Sequence, residues 1–147
     1  MPRIILQVLL LLLVAGPAVA VTAPTTGPAA GPARVVELGS ETYRGVVATA
    51  RLQIPQQSGE SGSGAGVSCV LLISFASAAS GQPLTEGDVA VKLGEADGRL
   101  GRPLRLAPGD GGFSAVVTLS RGAEWLLKIG SRLDDDKKRI YRFYAQL

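Results

Sequence analysis

The sequence predicts an all-β domain, a two-sheet antiparallel sandwich of seven to eight short strands behind a signal peptide and a Pro/Ala-rich tether. Three observations carry that prediction. Apolar and polar residues alternate with period two in run after run from residue 42 onward. Clusters of Gly, Pro, Asp and Ser separate the runs at short intervals. The 3.6-residue apolar spacing of an amphipathic helix is nearly absent from the same region.

The elements follow in chain order. In "MPRIILQVLLLLLVAGPAVA", Arg3 forms a basic head, Ile4 to Val14 an apolar run, and Gly16-Pro17 a break before Ala18-Val19-Ala20. That order describes a secretory signal peptide over residues 1–20, cut after Ala20, because the apolar run is short for a bilayer span. The expected location is therefore periplasmic or secreted. The alternative is an uncleaved anchor, and only then would the protein sit at a membrane. Residues 21–40 begin with Pro24, Pro28 and Pro32 among Ala, Gly and Thr, the composition of a semi-extended linker. Its end, "RVVEL" at 34–38, offers an eighth strand.

The domain proper is expected over 41–147. "TYRGVVATARLQI" (42–54) reads as one strand, with Val46, Ala48, Ala50, Leu52 and Ile54 on its apolar face. The loop at 55–66 is rich in Ser and Gly and lacks apolar anchors, so it reads as a disordered or a functional connection. "VSCVLLISF" (67–75) is apolar on both parities, as a central strand covered on both sides would be. "DVAVKL" (88–93) alternates, and "PLRLA" (103–107) is a short strand starting at a proline. "GFSAVVTL" (112–119) puts Phe113, Ala115, Val117 and Leu119 on one face. "EWLLKIGSRL" (124–133) does the same with Trp125, Leu127 and Ile129. "RIYRFYAQL" (139–147) sets Ile140, Arg142, Tyr144 and Gln146 opposite Tyr141, Phe143 and Ala145. Such strands and turns point to an immunoglobulin-like sandwich, without the Cys pair of antibody-type domains.

Composition excludes several classes of function. The 147 residues carry 15 Lys and Arg against 12 Asp and Glu, a formal charge of +3. Loss of residues 1–20 removes Arg3 and lowers this to +2. The basic residues are scattered along the chain and are not interleaved with aromatics, which argues against nucleic acid as a partner. Histidine is absent, which removes His-based triads, His general bases and most zinc or copper sites. Cys69 is the single cysteine, and its neighbours Val70, Leu71 and Leu72 predict a buried, inert thiol. No serine lies in a G-x-S-x-G elbow or an S-x-x-K pair, and no complete set of nucleophile, base and oxyanion donors emerges. The chain therefore reads as a non-enzyme that needs no cofactor.

The motifs also have a familiar order. Ile54-Pro55, "CVLLISF", "GQPL" at 81–84, "DVAVKL", "PGDGGFSAVVTL" and "RGAEWLLKI" succeed one another over roughly residues 43–133. This succession resembles the periplasmic domains called FixH-like or YtkA-like. The resemblance implies an immunoglobulin-like sandwich, an envelope location and an accessory role beside a membrane cation transporter or an oxidase assembly. The Met and His residues that often suggest metal handling in those groups are missing from the mature chain.

The candidate site residues are few. Asp134, Asp135 and Asp136 are consecutive, so their carboxylates diverge, and they suit a solvated hairpin turn better than a calcium loop. Trp125 and Phe113 are expected as core residues, because large aromatics supply much of a small sandwich's burial. Arg142 and Tyr144 share the face opposite Tyr141 and Phe143, and exposed Tyr and Arg are favoured at protein interfaces. The alternative is that Tyr144 covers a sandwich edge. The reading is an exported accessory or protein-binding module acting on an envelope protein. The competing reading is a carrier of a metal ion or a small ligand.

Overall fold

A computed structural model describes residues 33–56 and 66–147. The expected signal peptide, nearly all of the Pro-rich segment and the centre of the 55–66 loop lie outside the described residues. The described chain is all-β, and its nine strands are β1 (Arg34–Tyr43), β2 (Val46–Ile54), β3 (Val67–Ser77), β4 (Gly87–Glu95), β5 (Leu104–Arg105), β6 (Ala107–Gly109), β7 (Gly112–Leu119), β8 (Glu124–Leu133) and β9 (Lys138–Gln146). They form two antiparallel sheets, ordered β1-β2-β3-β7-β6 and β5-β4-β8-β9. The β2-β3-β7-β6 and β4-β8-β9 blocks reproduce the four-plus-three arrangement of an immunoglobulin-like sandwich. β1 extends the first sheet and β5 the second.

Four expectations need correcting. The 42–54 run is not one strand: Arg44 (φ 48°) and Gly45 (φ 75°) make a two-residue turn between the paired residues Tyr43 and Val46. Positive φ at both central positions is the hairpin geometry that matches strand twist. Thr42 and Tyr43 then join "RVVEL" in β1, so among the described residues the strands begin at Arg34, inside the segment 21–40 expected as linker, and the boundary at residue 40 is too late. "PLRLA" is split as well, with β5 pairing to β4 in one sheet and β6 to β7 in the other. Between them, Leu106 is buried and donates its N–H to the Val89 carbonyl at 2.9 Å. This division of one expected strand raises the count from eight to nine. Finally, among the described residues β3 is covered on one side only: Cys69, Leu71, Ile73 and Phe75 are buried, while Val70 and Leu72 are half-exposed on the outer face. Val116, paired with Val70, is 65% exposed.

The core lies between the sheets and takes one parity from each long strand. Val46, Ala48, Ala50 and Leu52 face Val89, Val91, Leu127 and Ile129, all within 4% of complete burial. One end is built from aromatic rings. Phe113 and Phe75 meet edge-on at 5.8 Å, and Phe75 meets Tyr141 from the opposite sheet at 5.7 Å. The Tyr141 hydroxyl donates to the Val46 carbonyl at 3.4 Å, so the ring's polar tip is satisfied at full burial.

The β8–β9 turn holds the three aspartates, and they are not equivalent. Asp135 accepts from both terminal nitrogens of Arg139, at 2.8 and 2.5 Å, and Arg139 is only 2% exposed. The Arg139 guanidinium also reaches the carbonyls of Arg44 and Lys137, which ties this turn to the β1–β2 turn. The hydrogen bond from Arg139 is the main cause that holds the Asp135 carboxyl well below the usual carboxylate range; the Lys137 N–H and the charges of both cations add to it, and burial opposes it. An unfolded Asp titrates at about pH 3.9. Below that pH the unfolded chain binds more protons at this site than the folded one, so the stabilisation is complete above about pH 4 and falls away on further acidification. Thermal melts between neutral and strongly acidic pH should show this loss. Asp135→Asn should start from a lower Tm and show a shallower acid slope, and an unchanged slope would contradict the assignment.

Candidate functional site

Alternation along β4, β8 and β9 decides which side chains leave the core. Val89, Val91, Leu127, Ile129, Tyr141 and Phe143 point inward, so Asp88, Ala90, Lys92, Lys128, Arg132, Lys138 and Arg142 point out. The register then sets them side by side. Lys92 is opposite Lys128, and Lys128 is opposite Arg142. Arg132 lies between Asp88 and Lys138, and Arg105 lies beside Ala90 at the sheet's β5 edge. The outer face of the four-stranded sheet thus gathers six cations, Lys92, Arg105, Lys128, Arg132, Lys138 and Arg142, against the carboxylates of Asp88 and Glu124.

Asp88 is ion-paired with Arg105, both exposed, a pairing of small energetic weight. Among the described residues Lys92, Lys128 and Arg142 form no ion pair. Like charges directly opposite one another on a sheet are destabilising, and a row of three is an electrostatic cost within the folded domain. The Arg142 backbone is held separately: its N–H donates to the Glu41 carboxylate of β1 at 2.6 Å.

Between these cations the face is hollow. Ala90 and Gly130, paired across β4 and β8, leave a depression of about 520 Å³. Asp88, Arg105, Arg132, Lys138 and Ile140 stand around it. Ile140 is 48% exposed. One row beyond the lysines, Leu126 pairs with Tyr144, which is 54% exposed. The arrangement can offer charge-assisted hydrogen bonds to an anion over a small apolar floor.

Of the residues singled out by sequence, Arg142 and Tyr144 lie on this face. Phe113 is fully buried in the aromatic end of the core, away from it. Trp125 is half-buried against the core, with its indole N–H donating to the Ser120 carbonyl at 3.2 Å across the β7–β8 turn. Cys69 is 1% exposed, burial pushes its thiol up from the ordinary value, and its nearest acceptors are the Val117 and Val67 carbonyls. Sequence reasoning missed Lys92, Arg105, Lys128, Arg132 and Lys138, which are scattered along the chain and converge only through strand register. The one signal available beforehand was the outward parity of each lysine or arginine on its own strand.

The fold and this face define an all-β sandwich with one basic, concave sheet surface. Compared with family models, with curated proteins and with solved structures, the chain finds no match in any of the three.

Proposed function

We propose that the protein is a non-enzymatic, exported protein-binding module that docks an envelope partner through the outer face of its four-stranded sheet. The single observation that carries this reading is the row Lys92, Lys128, Arg142, three neighbouring cations kept without ion-pair partners among the described residues. A cost to folding on this scale is offset when a partner supplies the opposite charge. Tyr144 and Ile140 beside the row give the apolar contact that interfaces add to charge. The lack of histidine and of any complete catalytic set favours binding over chemistry. The N-terminal pattern of residues 1–20 supports export to the periplasm or beyond the cell, and the FixH-like and YtkA-like resemblance supports an accessory role there.

A photo-crosslinking residue placed at Tyr144 in the full-length, exported protein tests this. It is expected to give one discrete protein adduct that disappears when Arg142→Glu is added. The same residue at Val116, on the opposite sheet, is expected to give none. Equal labelling from both positions would refute the assignment of the docking face.

A further inference from the structure

Gly130 is the residue that the fold itself does not explain. It lies mid-strand in β8, opposite Ala90 on one side and Ile140 on the other. Its backbone does not require a glycine, since it is absent from the positions with positive φ. Space does not require one either: a Cβ built there would meet nothing closer than the Ala90 carbonyl oxygen at 4.0 Å. Glycine in a strand interior nevertheless weakens the strand and often marks a place where another molecule approaches closely. Here the missing side chain opens the floor of the hollow, which Arg105, Arg132 and Lys138 line together with Asp88, itself ion-paired to Arg105; Lys92, Lys128 and Arg142 lie one row away on the same face.

We infer that the Ala90–Gly130 hollow receives a carboxylate side chain from an acidic, extended segment of the partner protein. The proposal rests on the docking face argued above and adds the partner's chemistry to it. Arg132 and Lys138 flank the hollow on one side, and Lys92, Lys128 and Arg142 lie one row away on the other. Successive outward positions on a strand are about 6.8 Å apart, so the two rows straddle the hollow at the reach of long cationic side chains. Charge complementarity selects an anionic occupant. The concavity selects a protruding side chain over a planar lipid surface, which long cations on a flat or convex face would meet better. With Tyr144 as the one aromatic among the described residues of this face, a stacked nucleic acid strand is a poorer fit.

The test uses the exported full-length protein and short poly-L-glutamate as the probe, followed by calorimetry at low and physiological salt. Saturable binding that weakens with salt is expected. Gly130→Leu projects a side chain into the hollow from a position where a Cβ meets nothing closer than 4.0 Å, and should lower the affinity by about tenfold or more with an unchanged or higher Tm. Lys128→Ala should lower it with the hollow left open. Wild-type affinity in Gly130→Leu, or no saturable binding of poly-L-glutamate, would overturn the inference. So would tighter binding to phosphatidylglycerol vesicles or to heparin. Absence of a Tyr144 crosslink in the protein without further substitutions refutes the docking face itself; a crosslink present there, with an indifferent Gly130→Leu, refutes the hollow alone.

Discussion

Phe113→Ala is expected to lower the unfolding free energy by about 3–5 kcal/mol, the range for removing a buried phenylalanine ring. The ring is completely buried and packs edge-on against Phe75, which in turn packs against Tyr141 of the other sheet. Collapse around the lost ring is restricted, because Tyr141 is held by its hydroxyl on the Val46 carbonyl and Phe75 is paired to Ala48 within β2–β3. A domain stable by about 5–15 kcal/mol would be left close to its limit. Urea denaturation followed by Trp125 fluorescence reads the change directly. A loss below about 1 kcal/mol would mean that the aromatic end is not part of the cooperative core.

Gly112→Ala is expected to cost about 3 kcal/mol, from backbone strain together with overpacking. Gly112 has φ +141°, a conformation that L side chains rarely adopt. A Cβ there would stand 2.2 Å from the Ile73 carbonyl oxygen and 3.0 Å from the Ser74 Cα. The obstacle is backbone in β3, so no side-chain rotation relieves it. The substitution must push β7 away at the start of its pairing with β3, where Phe113 is opposite Ile73. The same denaturation experiment should show a lower midpoint, and amide exchange should rise first at the β3–β7 junction. Gly130→Ala is the control: an alanine introduced into a strand without clash or positive φ should leave stability unchanged or slightly higher.

The faces of the strands were legible because the side-chain period of a strand is two and the core filters one parity. Ile140, Arg142 and Tyr144 stand outward, and Tyr141, Phe143 and Ala145 inward, as alternation alone requires. Other features have no local code. The Arg44-Gly45 turn lacks the Asn-Gly or Asp-Gly signature, and Arg44 takes a left-handed φ that few non-glycine residues adopt. The jump between sheets at Leu106 leaves no mark in "PLRLA", because both halves of that run are extended and differ only in their partners. The doubly apolar β3 misled for a related reason: an apolar outer residue predicts cover, yet Val70 and Leu72 remain half-exposed among the described residues. The basic face was the least legible part. Lys92, Lys128 and Arg142 become neighbours only once β4, β8 and β9 are in register, and register is a property of pairs of strands.

The one-residue passage at Leu106 also bears on how the molecule avoids its own kind. Two residues of extended chain span at most about 7 Å, less than the roughly 10 Å between packed sheets. The sheets must therefore converge between Arg105 and Ala107, and on that side each ends in a strand of two or three residues, the second containing Pro108. On the other side β1 runs against β9, and Glu41 occupies the Arg142 N–H that an added strand would need. Both flanks are thus poor templates for further strand pairing, which protects an all-β chain from edge-to-edge polymerisation and leaves its faces as the surfaces open to association.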